Sequence, residues 1–227
     1  MNREEFLTRV RTAAAAGRAY RVNADATIPN EAGYVGGGDD LPARLAAEIT
    51  AVGGQATLVN DLSGAREALA TVVEQYKPRT AFCWQHPVLD ALALDEYLNE
   101  RGIGKLSQQG LAALSPAEQR AKILAADIGI TSVTYAIAET GSLVMMAQTG
   151  RERLASLLPP VHVAIVERKQ ILPDLFDLFA ELRDEGYENL PSNLAFITGP
   201  SKTGDIEFTL TTGVHGPGKW HVIVVRA

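Results

Sequence analysis

The chain has 227 residues, of which 46% are hydrophobic and 21% are charged, and its formal net charge is −6. This balance is typical of a globular protein with a sizeable core, built as one large domain or as a domain with a small helical extension. The negative charge argues against general binding to nucleic acid or to an anionic membrane, because both of these partners require a basic surface. A local basic pocket remains compatible with it.

The cysteine content limits the redox chemistry that the chain can carry. Cys83 is the single cysteine, so the chain lacks the set of about four cysteines that usually holds an iron–sulfur cluster. Because Cys83 lies in the apolar run 80–84, we interpret it as a buried hydrophobic residue rather than a nucleophile. The charged residues 1–5 have no signal-peptide core behind them, and no apolar run reaches the ~20 residues of a membrane span. We therefore expect a soluble, cytoplasmic protein.

The first half of the sequence predicts an N-terminal extension followed by helices that alternate with strands. We assign residues 1–39 to the extension, with a helix at 3–16 and a loop at 21–39, and residues 40–227 to an α/β domain. The loop either closes over a site or wraps the surface, and the second interpretation is favoured because long loops are often only mobile. Periodicity and turn residues predict helices at 41–53 and 87–101, a helix capped by Ser63, and strands at 56–59 and 80–84.

The second half contains a capping box, a hairpin and several buried strands. The segment 115–118, Ser-Pro-Ala-Glu, has the form of a capping box, and Gly129 is placed to end the helix that starts there. The runs 130–138 and 143–147 flank a turn and predict an antiparallel hairpin. Further strands are predicted at 161–166, 194–198 and 220–225, with a helix at 172–182. The pattern predicts an α/β fold: a mostly parallel sheet with helices on both faces and an inserted or appended antiparallel hairpin.

The sharpest candidate site is the loop that follows the strand at 194–198. Its two glycines permit unusual backbone angles that let N–H groups converge, and its hydroxyl and ammonium groups add donors. We expect it to open a helix at the carboxyl end of a strand, where the helix dipole favours an anion. It therefore predicts a carboxylate or phosphate pocket formed by Gly199, Pro200, Ser201, Lys202, Thr203, Gly204, Asp205 and Glu207. The alternative is a simple turn in which Asp205 caps the helix, and the charges of Asp205 and Glu207 would oppose an anion unless they point away.

The predicted hairpin turn places a carboxylate beside two hydroxyl groups. Glu139 precedes Thr140, Gly141 and Ser142, and it is suited to accept a hydrogen bond from a ligand or to act as a base or nucleophile. Glu139 is thus a candidate catalytic residue, and the next three are candidate ligand-binding residues. A solvated glutamate in an ordinary turn explains the same residues, and composition alone favours that simpler interpretation.

A third candidate is the histidine in the segment 213–218, which holds three glycines and a proline. A histidine in such a loop is able to bind a ligand or transfer a proton near neutral pH, so His215 and Gly216 are candidate site residues. A loop histidine bonded to the backbone explains the pattern equally well. His162 and His221, at the starts of apolar strands, are interpreted as structural, and His86, beside Pro87, as a turn residue. No cluster of histidines and carboxylates has metal-ligand spacing, so no metal site is predicted.

Five segments of the second half form a series. They are DIGIT at 127–131, AETGS at 138–142, LPPVHVAIV at 158–166, GPSKTGDIE at 199–207 and GVHGP at 213–217. In this order they resemble the LUD (lactate utilization) domain family, in its short, cysteine-poor form. Only the architecture fits in the first half of the chain. The sequence departs from the family at Gly204, where alanine is expected, and both residues are small.

The resemblance implies a fold, a pathway and a set of partners. The fold is similar to that of the ribose-phosphate isomerase, glucosamine-phosphate deaminase and CoA-transferase group. The pathway is the oxidation of L-lactate to pyruvate with two iron–sulfur partner proteins. We expect this chain to hold no cofactor, with the iron–sulfur clusters in the partners, and to act as a non-redox subunit that binds a small anion, a carboxylate or a phosphate.

Two alternatives to the subunit hypothesis stay open. In the first alternative, the chain is an independent enzyme that acts on phosphorylated sugars or acyl-CoA. Glu139 is then the catalytic carboxylate, and Lys202 binds the phosphate or thioester. That alternative depends on analogy of fold. The second is a ligand-sensing regulatory module, which neither a helix-turn-helix segment nor a basic face supports.

Overall fold

The computed structural model describes residues 2–17, 36–186, 189–206 and 209–227. The chain divides into two compact units, residues 1–35 and residues 36–227. In the first unit, helix α1 (Arg3–Gly17) confirms the helix predicted at 3–16. Most of the loop predicted at 21–39 lies outside the described residues.

A six-stranded sheet forms the centre of the second unit. Its strands are β1 (Gln55–Val59), β2 (Thr80–Cys83), β3 (Gly104–Leu106), β4 (Ile128–Thr131), β7 (Val161–Glu167) and β12 (Lys219–Val225). They lie in the order β1-β12-β7-β4-β2-β3, and every neighbouring pair is parallel. The inner strands β4 and β7 are almost wholly buried, as continuous apolar runs in a parallel sheet should be. The predicted mostly parallel α/β fold is confirmed.

Helices cover both faces of this sheet. They are α2 (Leu41–Ala51), α3 (Leu62–Tyr76), α4 (Pro87–Ala91), α5 (Leu94–Glu100), α6 (Gln108–Ala112), α7 (Pro116–Leu124) and α8 (Leu154–Leu157). Neighbouring strand residues point to opposite faces, so Trp220 and His221 mark the two sides of β12. His221 Nε2 lies 3.0 Å from the Tyr76 hydroxyl of α3 on one side. On the other, a Cβ at Gly54 would lie 2.5 Å from the Trp220 ring and 2.8 Å from Ile49 of α2.

Three predicted helix boundaries between residues 61 and 129 are wrong. Helix α3 begins at Leu62 because the Asp61 carboxylate accepts the Gly64 N–H at 2.9 Å, so Ser63 lies inside the first turn. The helix predicted at 87–101 is two short helices, separated at Ala93, whose φ is +50°.

The third wrong boundary is the end of the helix that the capping box starts. The box itself is confirmed, with Ser115 and Glu118 bonded reciprocally, but α7 ends at Leu124. Gly129 lies in β4 instead, and a Cβ there would overlap the Ala155 carbonyl oxygen. Glycine at this position allows α8 to pack directly on the sheet.

A second, mixed sheet contains β5 (Tyr135–Ile137), β6 (Ser142–Met146), β8 (Ile171–Leu172) and β9 (Leu194–Ile197), in the order β8-β5-β6-β9. Helix α9 (Leu175–Glu185) packs on it and begins three residues later than the helix predicted at 172–182. The antiparallel β5–β6 pair confirms the predicted hairpin. The run predicted as one strand at 130–138 is divided between the two sheets, because β4 ends at Thr131.

The segment after the candidate anion loop is also different from the prediction. Residues Lys202–Ile206 form strand β10, which pairs antiparallel with β11 (Thr209–Thr212). The expected helix is absent from this described segment, so Asp205 caps no helix there. The helix dipole that was predicted to favour an anion at this loop therefore does not form in this segment.

Across the ranges that the structure describes, no helix has the length and apolar character needed to cross a membrane.

Candidate functional site

A cavity of about 290 Å³ brings two of the three candidate segments together. The loop after β9 contributes Gly199, Ser201 and Lys202, and the loop before β12 contributes His215 and Gly216. The volume lies at the lower end of the range for small-molecule pockets, roughly 300–1,000 Å³. The cavity is therefore suited to a small ligand.

Ser201 joins these two loops. Its backbone N–H donates to the Pro217 carbonyl at 2.9 Å, and its carbonyl accepts the Gly213 N–H at 2.9 Å. The His215 N–H donates to the Ser201 hydroxyl oxygen at 3.3 Å. The 199–202 and 213–217 loops therefore form one unit at the cavity, despite the β10–β11 hairpin between them in sequence.

Two residues of the first loop also contact the end of helix α2. The Lys202 ammonium donates to the Val52 carbonyl at 2.7 Å, where the helix C-terminus is partially negative. Gly199 has a φ of +105°, and a Cβ there would lie 3.0 Å from the same Val52 oxygen. Lys202 thus has a structural partner, and its ammonium still carries two further N–H donors.

The hairpin turn reaches the cavity through its hydroxyl groups. Thr140 Oγ1 lies 2.7 Å from Ser142 Oγ, which lies 2.7 Å from Thr198 Oγ1, and Thr198 lines the cavity. Gly141 packs against α2, since a Cβ there would lie 2.7 Å from Glu48 backbone carbon.

Glu139 is not among the described residues that line the cavity. Its backbone N–H donates to the Pro173 carbonyl at 3.0 Å. Of the other predicted residues, Thr203 pairs with Thr211 in the β10–β11 hairpin, and Gly204 and Asp205 belong to β10. Pro200 lies against Gly53. Glu207 lies outside the described residues.

His162 and Trp220 also line the cavity. The sequence pattern predicted a structural role for His162, and it did not single out Trp220. They are the second residues of β7 and β12, and they are paired in register on the same face of the sheet. The cavity therefore lies at the amino-terminal ends of these two parallel strands and also at the carboxyl end of β9, the strand after which the anion loop was predicted. The sequence does carry a signal for them, because each is an aromatic ring with a polar nitrogen near the start of an apolar strand.

Both rings have a nitrogen with no partner among the described residues. His162 Nε2 lies 2.9 Å from Thr131 Oγ1, while His162 Nδ1 and Trp220 Nε1 are buried and unpaired. Burial lowers the pKa of His162 to about 3, with a smaller contribution from His221. His162 is therefore neutral at physiological pH.

Comparison with known families settles the relationship that the motifs suggested. Residues 43–225 match the LUD domain family. The chain belongs to the LUD domain family. This range includes the cavity and both of its loops.

Several relatives of this LUD domain protein carry the same name. This chain is 35% identical over 163 residues to lactate utilization protein C of Halalkalibacterium halodurans, and the alignment covers 70% of this chain and 68% of that protein. It is 34% identical over 161 residues to lactate utilization protein C of Macrococcus caseolyticus, covering 70% and 67%. A crystal structure of a DUF162 family protein from Deinococcus radiodurans has the same fold, with a TM-score of 0.59 and 22% identity over 82% of this chain and 96% of that one.

Cys83, His86 and His221 lie apart from the cavity lining and pack within the fold. Cys83 is buried in β2, and burial raises the pKa of its thiol to about 12, as the interpretation of a hydrophobic residue requires. His86 Nδ1 accepts the Val88 N–H at 3.3 Å and caps α4. Burial lowers the pKa of both His86 and His221. Among the residues that the structure describes, no group of three histidine, cysteine or carboxylate side chains is arranged to hold a metal.

Proposed function

We propose that this protein is the non-redox subunit of an L-lactate utilization system that works with two iron–sulfur partner proteins. The observation that carries the proposal is the 35% identity to a lactate utilization protein C over 70% of the chain. Lactate oxidation to pyruvate removes two electrons and two protons. The chain has one cysteine and that cysteine is buried, so we assign the electron acceptors to clusters in the partners.

The cavity is the proposed place of a small anionic ligand. Lys202 supplies a positive charge at a cavity whose other lining includes apolar side chains such as Leu157 and Ile197. A charge-assisted contact to a carboxylate or phosphate is worth about 1.5–3 kcal/mol. The absence of Glu139 from the described lining gives less support to the alternative of an independent enzyme on sugar phosphates or acyl-CoA.

Reconstitution tests this function. The purified chain should reduce no dye with L-lactate by itself, and activity should appear when both iron–sulfur proteins are added. The control is the same mixture without this chain, which should be inactive. Turnover of lactate by the isolated chain, or full activity of the partners without it, would contradict the subunit role. The first of these results would favour an independent enzyme.

A further inference from the structure

Strand β9 has one free edge. It is the last strand of the second sheet, and β6 is its only strand partner among the described residues. Ala147, which follows β6, donates its N–H to the Asn193 carbonyl at 3.0 Å, so Asn193 faces β6. Successive residues of an antiparallel strand direct their main-chain groups to alternate sides. The N–H and C=O groups of Leu194 and Phe196 therefore point away from β6.

The cavity borders this free edge at Phe196. The side chains of neighbouring strand residues lie on opposite faces of a sheet, yet both Phe196 and Ile197 line the cavity. A cavity that meets both faces of a strand passes around an edge, and β6 occupies the other edge of β9. Phe196 is 46% exposed, and neither its N–H nor its carbonyl bonds to a described residue. Leu194, further along the same edge, is not among the described lining residues.

A free main-chain donor and a free main-chain acceptor on one residue fit a ligand that carries both kinds of group side by side. A 2-hydroxy acid does so, because its hydroxyl donates a hydrogen bond and the neighbouring carboxylate accepts one. In the corresponding 2-oxo acid both groups only accept, so the Phe196 carbonyl would face a second acceptor. A site that bonds a ligand hydroxyl discriminates against the analogue without it, because a protein polar group is then left unpaired.

We infer that the Phe196 main chain makes the cavity selective for a 2-hydroxy acid over the 2-oxo acid formed by its oxidation. The hydroxyl donates to the Phe196 carbonyl, the carboxylate accepts the Phe196 N–H, and Lys202 supplies the balancing charge at the same cavity. This inference deepens the proposed function and rests on it, because that function selects L-lactate and pyruvate as probes. The apolar side chains of Leu157 and Ile197 in the lining suit a short carbon chain.

A series of ligands tests this selectivity without any substitution. In calorimetry on the full-length chain, L-lactate should bind roughly tenfold more tightly than pyruvate, and propionate, which lacks the hydroxyl, should also bind more weakly than lactate. In a chain labelled with ¹³C and ¹⁵N, L-lactate should shift the amide and carbonyl signals of Phe196 and leave those of Leu194 in place. Equal affinity for lactate and pyruvate, or no binding of lactate, would overturn the inference.

Proline variants test the strand edge itself. Phe196→Pro removes the outward N–H at an edge position, where proline is tolerated, and should weaken L-lactate binding by about three- to tenfold. Phe196→Ala keeps the N–H and controls for loss of the ring, so its affinity should fall less. Leu194→Pro removes the matching N–H outside the cavity and should leave the affinity unchanged.

The two proline variants also separate a small acid from an extended polypeptide. A polypeptide strand added along β9 would use the main chain of both Leu194 and Phe196. Equal losses in Leu194→Pro and Phe196→Pro would therefore overturn the inference in favour of such a partner. The subunit role would survive this result, or equal binding of lactate and pyruvate, if reconstituted activity still depended on the chain. That outcome distinguishes a failure of the inference from a failure of the proposed function.

Discussion

The Lys202 ammonium donates a hydrogen bond to the Val52 carbonyl at the end of helix α2, over a distance of 2.7 Å. These residues lie 150 positions apart in the sequence. The contact joins the cavity loop to the helix on which the hairpin turn also packs, through Gly141. Helix α2 therefore supports two of the segments by which the family was recognised.

Removal of the Lys202 charge should affect stability as well as ligand binding. Lys202→Met loses a hydrogen bond to the last turn of α2, and the free energy of unfolding should fall by about 0.5–1.5 kcal/mol. Urea denaturation measures this change. The control is Lys169→Met, because Lys169 is exposed and pairs with Glu167 on the surface, where an ion pair contributes little. Equal stability of the two variants would contradict the structural role of Lys202.

Substitution of Gly141 should be far more damaging than substitution of a glycine with the same backbone angle elsewhere. Gly141 and Gly102 both have a φ of +66°, but a Cβ at Gly102 meets no atom within 4 Å. Gly102→Ala should therefore lose only about 1–2 kcal/mol, from left-handed strain. Gly141→Ala carries the same strain and also a clash with α2, so thermal denaturation should show a clearly larger loss. Similar losses in both variants would exclude the close packing of the turn on the helix.

The low pKa of His162 predicts a loss of stability in acid. The unfolded histidine takes up a proton below its ordinary pKa of 6.5, whereas folded His162 resists protonation down to about 3. The unfolded state thus binds more protons between these values, and stability falls as pH falls, by up to ~1.4 kcal/mol per pH unit. His162→Gln should have a shallower slope from pH 6.5 to pH 4. Other groups keep their contributions in both proteins, so parallel slopes would contradict the neutral, buried state of His162.

Cys83 should be chemically inert in the folded protein. Its buried thiol has a pKa raised to about 12, so almost no thiolate exists at pH 8. A thiol reagent such as iodoacetamide should label the native chain slowly and label it fast in 8 M urea, as mass spectrometry would show. Rapid labelling of the native chain would instead make Cys83 a reactive group.

The sequence predicted features that depend on local chemistry better than those that depend on distant contacts. The Ser115–Glu118 capping box formed as predicted because all of its partners lie within four residues. Gly129 was predicted to end the helix that this box starts, yet it lies in β4, because its contact with Ala155 of α8 is supplied by a later part of the chain.

The same distinction explains the residues of the site. Composition singled out Ser201, Lys202 and His215 as candidates, because polar groups among glycines and prolines are visible in the sequence, and all three line the cavity. For His162 the sequence signal was weak, because a histidine near the start of an apolar strand is usually a structural residue. Its unpaired nitrogen and its neighbour Trp220 are visible only once β7 and β12 lie side by side.

The place of β12 in the sheet has a consequence during synthesis. This strand lies between β1 and β7, although it follows both of them in the chain. A nascent chain therefore exposes the hydrogen-bonding edges of β1 and β7 until β12 has left the ribosome, and exposed edges promote aggregation. Completion of the sheet requires a pairing between residues 55–59 and 221–225, a contact of long sequence separation that slows folding. The central sheet is consequently completed only when residues 219–225 are available for pairing.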